Sequence, residues 1–190
     1  PPRSTLFPYT TLFRSTTDAK KAGLDMRLID PACENDPDGK IAQCAKLVTE
    51  HYSKTQEQRG VQLVFCDTST PKKDAFDVYH EFKKQAVSLG IPEHEIAFIH
   101  DANTDAAKDE LFAKCRGGEV RVLLGSTQKC GAGTNIQDRL IALHHLDCPY
   151  RPSDIEQREG RILRQGNKFF DEVYVYRYVT ERSFDAYLWS

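Results

Sequence analysis

From residue 40 onward, short apolar runs alternate with longer amphipathic stretches. The apolar runs have the length of β-strands and cover residues 61–66, 96–100, 120–126, 140–146 and 172–179. Apolar residues at helical spacing fill the stretches near 75–89 and 105–115, and a further helix is expected from Ser153. Strands that are almost continuously apolar and separated by helices are typical of a parallel sheet covered on both faces. The pattern therefore predicts an α/β fold with a doubly wound, mainly parallel sheet.

The last apolar run differs from the others because its residues alternate. Valines and tyrosines would occupy opposite faces of this strand, namely Val173, Val175 and Val179 against Tyr174, Tyr176 and Tyr178. Such alternation is expected near a sheet edge, where one face is less covered. We therefore predict that the last strand lies at or near an edge.

The chain divides into three parts. Residues 40–190 carry the alternating pattern and form one predicted domain, which stops within a helical pattern and is expected to be truncated there. Residues 16–39 contain prolines and the turn-like sequence DPDG, and we predict a linker. Residues 1–15, PPRSTLFPYTTLFRS, read in one frame as the common short-read sequencing adapter that ends in CTCTTCCGATCT. We interpret them as a library artefact, with a genuine leader as the alternative.

Composition indicates which class of protein this is but gives little information on its function. Of the 190 residues, 39% are hydrophobic and 28% are charged, which is ordinary for a globular domain. The net charge of −2 lacks the basic balance of many nucleic-acid binders, so any such contact must be local. The six cysteines include no C-x-x-C pair, which argues against a zinc ribbon or a secreted disulfide scaffold. No apolar run approaches the roughly 18 residues of a membrane span, and we expect a cytoplasmic location without membrane contact.

Small hydroxyl residues follow the first apolar run, in the sequence CDTSTP at 66–71. Ligands of open α/β sheets bind at the carboxyl ends of strands. Thr68 and Ser69 also directly precede a predicted helix, whose N-terminal amides and dipole favour an anion such as phosphate. An ordinary helix cap and turn is the alternative interpretation.

A glycine-rich loop follows the third apolar run, in the sequence GSTQKCGAGTNIQ at 125–137. Its glycines allow close approach of the backbone to a ligand, and Ser126, Thr127 and Lys129 can meet phosphate oxygens. The chain contains neither G-x-x-x-x-G-K-[ST] nor G-x-G-x-x-G after a strand. It therefore carries no Walker-type or dinucleotide phosphate site of its own.

The sequence SDIEQREGRILRQGN at 153–167 is the most informative segment. A capping-box pattern from Ser153 to Glu156 and a glycine at its end predict a helix of about eleven residues. The apolar stripe of this helix consists of Ile155, Ile162 and Leu163. At 100° per residue, Arg161 and Arg164 lie about 120° and 180° from Ile155 around the helix axis. Guanidinium groups that face away from the core suit charge stabilisation on a phosphoryl group held elsewhere. A solvated charged face is the alternative interpretation.

Together, the three segments resemble helicase motifs of superfamily two. VQLVFCDTSTP resembles motif IV, GSTQKCGAGTNIQ resembles motifs Va and V, and QREGRILRQGN resembles motif VI, so that the resemblance covers roughly residues 40–189. The patterns S-T-x-x-x-G-x-G-x-N, D-x-P-x-x-P and Q-R-x-G-R-x-x-R-x-G are similar to those of the Swi/Snf branch. Gly160 and Asn167 depart from chromatin remodellers, which usually have Asp and Gln there. FIHDANT and ALHHLDCPYRPSD look most like the large helicase proteins of phages, plasmids and conjugative elements, often fused to an adenine-specific DNA methyltransferase.

The resemblance implies the second RecA-like lobe, the helicase C-terminal domain, of an ATP-driven DNA translocase. ATP and Mg²⁺ would be held mainly by the first RecA-like lobe of the same parent chain, and DNA would be the partner. Arg161 and Arg164 would be arginine fingers. Residues that face ATP, or that couple the nucleotide state to movement of the lobe, would be Gln157, Gly131, Gly133 and Asn135. Residues that hold the phosphates of one DNA strand would be Thr68, Ser69, Ser126 and Thr127.

A group of histidines and a cysteine raises the question of a metal, namely His144, His145 and Cys148. Neighbouring residues of a strand point to opposite faces, so the two histidines cannot easily bind one ion. We therefore predict a structural role and no metal site.

Two other functions stay open. The motor of a restriction system or of a transcription-remodelling ATPase shares this lobe and differs in its attached domains. A non-motor module that binds nucleotide or protein would instead lack the first lobe. A Walker A lysine upstream in the unbroken gene would separate the motors from the module.

Overall fold

Five parallel strands form one sheet, and helices cover both of its faces. The computed structural model describes residues 16–130, 135–160 and 166–189. The strands are β1 (Val61–Phe65), β2 (Ile96–Phe98), β3 (Val122–Gly125), β4 (Leu140–His145) and β5 (Tyr174–Arg177). Their order across the sheet is β2-β3-β1-β4-β5, and every neighbouring pair is parallel. The predicted α/β fold with a mainly parallel sheet is therefore confirmed.

Six α-helices accompany the sheet in the described part of the chain. They are α1 (Thr16–Leu24), α2 (Lys40–Lys54), α3 (Val78–Ser88), α4 (Asp105–Gly117), α5 (Pro152–Glu159) and α6 (Phe184–Trp189). Short 3₁₀ turns lie at Met26–Leu28, Glu93–Glu95, Ile99–Asp101 and Gln137–Arg139. No helix within the described ranges is long and apolar enough to cross a membrane.

The core has two layers, because alternate residues of each strand face opposite sides of the sheet. On one side, Val64 packs in a cluster with Val48 of α2 and Phe82 of α3. On the other side, Leu63 packs in a cluster with Phe112 of α4. Full burial of such a side chain stabilises a fold by about 1.5–3 kcal/mol. Helices on both faces therefore hold the strands in place and fix the loops at the strand ends.

Residues 16–39, which we predict as a linker, contain α1 and pack onto the end of the chain. The carbonyl of Gly23 in α1 accepts a hydrogen bond from Oγ1 of Thr180 at 2.6 Å. At the start of α2, the buried ammonium of Lys40 pairs with the buried carboxylate of Asp185 in α6. These contacts attach α1 and the start of α2 to the last part of the described chain.

Two boundaries on the β2 side differ from the predicted ones. α3 begins at Val78 rather than near residue 75, because Asp77 is its N-cap and accepts a hydrogen bond from the amide of His80 at 2.9 Å. The strand predicted at 96–100 ends at Phe98, where a 3₁₀ turn begins. In both places an apolar residue outside the regular element extended the sequence pattern.

The capping box predicted at the start of α5 is wrong. The helix begins at Pro152 with Arg151 as its N-cap, and no side-chain cap hydrogen bond forms. Proline has the φ that a first helical residue requires, and the amide that it lacks would be unpaired at this position in any case. Ser153 therefore lies inside the first turn, where it cannot serve as the cap. Residues 161–165, which include the rest of the predicted helix, lie outside the described residues.

β5 lies at the sheet edge, as its alternating pattern predicts. The hydroxyl of Tyr176 lies 2.7 Å from Nε2 of His51 in α2. Val173 packs against the cluster on the opposite side of the sheet. Tyrosine and valine positions of this segment thus face different layers.

Candidate functional site

The carboxyl ends of β1, β3 and β4 lie side by side, and the loops that follow them meet α5. Strand pairing aligns Phe65 at the end of β1 with Gly125 of β3 and with His145 of β4. We call these loops the β1 loop, the β3 loop and the β4 loop, comprising residues 66–71, 126–130 and 146–151. This is the edge at which open α/β sheets bind ligands.

Arg158 of α5 is completely buried where the three loops meet. Its Nη2 lies 2.6 Å from Oδ2 of Asp67 in the β1 loop and 3.2 Å from Oδ1 of Asp147 in the β4 loop. Its Nε donates to the hydroxyl of Thr127 in the β3 loop at 2.7 Å, and its Nη1 donates to the carbonyl of Asp147 at 3.0 Å. One guanidinium thus connects three loops to one helix. We call Arg158, Asp67 and Asp147 the arginine bridge.

The two carboxylates of the arginine bridge also order the loop backbones. Oδ2 of Asp147 accepts hydrogen bonds from the amide of Asp67 at 2.8 Å and from the amide and hydroxyl of Thr68, both at 2.6 Å. The carboxylate of Asp67 accepts from the amide of Thr127 at 2.6 Å and from its hydroxyl at 2.7 Å. Hydrogen bonds to ionised groups are stronger than those between neutral ones. The loop shapes therefore depend on both carboxylates staying charged.

Electrostatics favour the ionised forms of Asp147 and Arg158. Burial acts to raise the pKa of Asp147, but the Arg158 guanidinium and the hydrogen bonds from Thr68 hold that pKa below its usual range. Burial acts to lower the pKa of Arg158, while Asp147 and Asp67 raise it, and the net pKa is raised. The neighbouring His145 has its pKa lowered to about 3 by burial and then by the cations around it. His145 is therefore neutral at physiological pH and sits beside an ionised pair.

An open groove of about 550 Å³ runs next to the arginine bridge, and we call it the β3 groove. Its walls include Thr70, His100, Ser126, Thr127, Lys129 and Gln157. The ammonium-bearing Lys129 and the amide-bearing Gln157 are both exposed. The fold therefore places Ser126, Thr127 and Gln157 in one groove. The motif resemblance implies that Ser126 and Thr127 contact DNA and that Gln157 faces ATP.

A second groove of about 420 Å³ adjoins the first, and we call it the β4 groove. Asp67 and Asp154 line both grooves. The β4 groove also contains Arg151 and Lys20, whose ammonium lies 3.7 Å from the ring centroid of Tyr150. Cationic side chains are thus present in both grooves, on either side of the two shared carboxylates.

The four hydroxyl residues predicted to hold phosphates all lie at this edge, and each orders a loop. Ser69 is 2% exposed, and its hydroxyl accepts a hydrogen bond from the first amide of α3 at 3.1 Å. Ser126 is 7% exposed, and its hydroxyl accepts from the amide of Lys129 at 3.2 Å. The hydroxyls of Thr68 and Thr127 donate to the bridge carboxylates. Contact of these hydroxyls with phosphate stays a prediction.

The other predicted site residues are distributed differently. Those that lie outside the described residues are Gly131, Gly133, Arg161 and Arg164. Asn135 is exposed, and its carbonyl accepts a hydrogen bond from Nη1 of Arg116 at 2.7 Å. Gln157 is exposed on α5, directly before the buried arginine. Asn167, one of the two departures from the remodeller pattern, donates from its side chain to the carbonyl of Leu140 at 2.7 Å.

The histidines at the end of β4 point to opposite faces of the sheet, as predicted. His144 lies between the hydroxyl of Tyr178 and Oε1 of Gln62, at 2.8 and 3.0 Å, and burial lowers its pKa to about 3. His145 faces the arginine bridge instead. Within the ranges that the structure describes, no group of three or more His, Cys, Asp or Glu is arranged to hold a metal ion.

Sequence reasoning did not single out the arginine bridge, although signals for it exist. At 100° per residue, Arg158 lies only about 60° from Ile155, on the same side of the helix as the apolar stripe. Asp67 and Asp147 each follow a buried strand by two residues. A charged residue on the inward side of a helix is seldom buried without a partner. This pattern would have indicated carboxylates at the neighbouring strand ends.

Comparison with known proteins adds the family. Residues 39–166, well over half of the chain, match the family model described as the helicase conserved C-terminal domain. No curated protein matches the chain.

Solved structures show the same fold. The C-terminal part of the Fun30 ATPase domain matches with a TM-score of 0.60 and 19% identity, over 85% of this chain and 48% of that chain. The DUF1998 helicase MrfA bound to DNA and AMPPNP matches with a TM-score of 0.55 and 14% identity, over 78% and 19%. The Hef helicase domain of Pyrococcus furiosus matches with a TM-score of 0.51 and 19% identity, over 80% and 28%. The chain spans less than half of each of these structures.

Proposed function

Because the chain belongs to the helicase conserved C-terminal domain family, we propose that it is the second motor lobe of an ATP-dependent DNA helicase or translocase of the Swi/Snf-like branch. The arginine bridge is the observation that carries the proposal. Its Arg158 donates to both Asp67 and Thr127, which connects one residue from each of the segments that resemble motifs IV, Va and VI. Segments far apart in sequence thereby form one surface, as a motor lobe requires.

The lobe works on a nucleotide that its own residues do not cradle. The first lobe of the parent would hold ATP with Mg²⁺. ATP would supply the phosphoryl group to be transferred, and Mg²⁺ would offset part of the charge on its oxygens. This chain contributes Arg161 and Arg164, whose guanidinium groups stabilise the charge that develops on that group. Gln157 is exposed on the same segment, which supports its placement on the ATP side. Gly131, Gly133 and Asn135 couple the nucleotide state to movement of the lobe.

DNA is the proposed partner at the strand-end loops. The loops that Thr68, Ser69, Ser126 and Thr127 order hold the phosphates of one strand, mainly through backbone groups, with cations such as Lys129 and Arg151 nearby. Contacts of this kind position a nucleic acid without reading its sequence. The similarity to MrfA, whose structure contains DNA and AMPPNP, supports both DNA and ATP as ligands of the parent. Phosphate contacts confined to these loops also explain how a chain with a net charge of −2 binds a polyanion such as DNA.

The wider setting follows the sequence resemblance. We propose that the parent is a cytoplasmic protein. We also propose that it is encoded by a mobile genetic element such as a phage or plasmid. A fused adenine-specific DNA methyltransferase is the proposed additional domain. The complete gene checks this directly, since it contains or lacks a methyltransferase and an upstream Walker A lysine.

Replacement of Arg164 by alanine in the full-length parent tests the proposed function. An arginine finger acts when charge develops in the transition state, so the maximal DNA-stimulated ATPase rate should fall on the order of 10³-fold or more. Affinity for nucleotide and DNA should change far less. Lysine should rescue little, because one ammonium cannot reproduce the planar fork of a guanidinium.

Lys114→Ala is the matched control, since Lys114 is an exposed cation on α4 that pairs with the exposed Glu110. The control should keep a normal ATPase rate. Steady-state ATPase at saturating DNA distinguishes the interpretations. An Arg164→Ala rate within threefold of wild type would remove Arg164 from the mechanism, and a wild-type parent without DNA-stimulated ATPase would refute the motor function and leave a non-motor binding module.

A further inference from the structure

A second role at this edge belongs to Arg158, the buried arginine of α5. The side chain of Arg158 is 0% exposed, so neither DNA nor nucleotide can contact it directly. It nevertheless bonds to all three strand-end loops from a single guanidinium. Anything that displaces one of these loops therefore changes a hydrogen bond made by α5.

The charges of the arginine bridge also bear on the approach of phosphate. Asp67 lines both grooves, and its side chain is 31% exposed. Without a cation behind it, its carboxylate would repel a phosphate that enters either groove. Arg158 lies 2.6 Å from this carboxylate and offsets its charge. The same contact holds the Asp67 oxygens toward the amide and hydroxyl of Thr127, at 2.6 and 2.7 Å.

We propose that Arg158 is a positioning residue that transmits the placement of the DNA-facing β1, β3 and β4 loops to α5, the helix whose sequence continues into Arg161 and Arg164. The proposal rests on the proposed motor function. When DNA fixes the loops, the arginine bridge fixes α5, the helix from which the sequence leads on to Arg161 and Arg164. Loss of Arg158 leaves both surfaces present but no longer connected.

Arg121 offers an internal comparison, because it is an equally buried arginine with no part in this edge. Its side chain is 0% exposed and donates to the carbonyls of Gly60 and Tyr52, at 3.1 and 2.8 Å. It precedes β3 and so lies at the opposite, amino end of the sheet. If the role of Arg158 is purely structural, Arg158→Gln and Arg121→Gln should have the same effects on melting temperature and on the stimulation of ATPase by DNA.

The experiment measures ATPase of the full-length parent with and without DNA for wild type, Arg158→Gln, Arg158→Lys and Arg121→Gln. Thermal unfolding of each variant is followed in parallel. For Arg158→Gln we expect the ratio of DNA-stimulated to DNA-independent rate to fall at least tenfold, with a rise of similar size in the DNA concentration that gives half-maximal rate. Arg158→Lys keeps the charge but not the fork, and its ratio should stay close to that of Arg158→Gln. Arg121→Gln should lower the melting temperature yet keep the wild-type ratio.

The outcomes separate this inference from the proposed function. If wild type shows DNA-stimulated ATPase and the ratio of folded Arg158→Gln equals that of wild type, the positioning role is refuted and the motor stands. An equal loss of ratio in Arg121→Gln refutes it as well, because the loss then reflects damage to the fold. Should Arg158→Gln fail to fold, Asp67→Asn tests the same connection from its partly exposed side, and an unchanged ratio there overturns the inference.

Discussion

Asp147→Asn is the substitution that isolates the arginine bridge most cleanly in this chain. The side chain of Asp147 is 3% exposed, and asparagine has nearly the same size, so the change removes charge without opening a cavity. One oxygen accepts three hydrogen bonds from the β1 loop, and the other faces Arg158 at 3.2 Å. An asparagine amide group must turn its NH₂ toward one of these sets of donors. A donor then faces a donor in a buried place.

The expected cost follows from these contacts. Removal of one partner of a buried ion pair typically destabilises a protein by about 3–5 kcal/mol. Asp67 still neutralises Arg158 in the variant, which places the expected loss of unfolding free energy at the lower end, about 3 kcal/mol. For a chain of this size, that corresponds to a fall in melting temperature of roughly 6–12 °C.

The pH dependence gives a second signature. Arg158 and Thr68 outweigh the effect of burial and hold the pKa of folded Asp147 below its ordinary value of 3.8. The unfolded chain therefore takes up this proton more readily than the folded chain, so the stability that Asp147 contributes is present above about pH 4 and is lost as pH falls through the folded pKa. The difference in unfolding free energy between wild type and Asp147→Asn should accordingly shrink with acidification below about pH 4.

Urea unfolding of the chain between pH 7 and pH 3 measures both signatures. Asp38→Asn is the control, since Asp38 is 85% exposed and lies 3.9 Å from the exposed Lys46, and it should cost less than about 0.5 kcal/mol. If Asp147→Asn costs no more than Asp38→Asn at pH 7, the arginine bridge does not order the strand-end loops. A cost independent of pH would refute the ionised state assigned to Asp147.

Two further predictions concern the chain as a whole. Deletion of residues 1–15 should leave the melting temperature unchanged, because on our interpretation of them as a library artefact they would have no evolved partner in the core. A fall of several degrees would contradict that interpretation. The isolated chain should show neither tight ATP binding nor DNA-stimulated hydrolysis, because it has no Walker-type phosphate site, and measurable DNA-dependent turnover by the purified chain would overturn the division of labour between two lobes.

Burial on both faces explains why the sheet could be predicted from sequence. The strands β1 to β4 form almost continuous apolar runs, and the structure has a strand in each of these runs. The same property made the strand ends hard to place. Ile99 is fully buried although it belongs to a 3₁₀ turn, so its hydrophobicity extended the run beyond β2. Apolar patterning reports burial, and it reports backbone conformation only indirectly.

The location of the candidate site was predictable, whereas its internal pairing was not. Hydroxyl residues after strands were expected to lie together at one edge, and they do, because parallel strands end on the same side of a sheet. The partners of the arginine bridge are distant in sequence, with Asp67 separated from Asp147 by 80 residues and from Arg158 by 91. Local patterns contain no information on which distant carboxylate meets which cation. Only the neighbour relation of β1 and β4 in the sheet brings them together.

The neighbouring residues Gln157 and Arg158 show that a motif can combine two different requirements. They are about 100° apart on α5, so one is exposed toward the β3 groove and the other is completely buried. The first can meet a ligand, while the second can act only through the loops it holds. Loss of activity on mutation of a motif residue is therefore not by itself evidence of contact with nucleotide. For Arg158, such evidence would require lost activity together with unchanged unfolding free energy, and the buried ion pair predicts that both change.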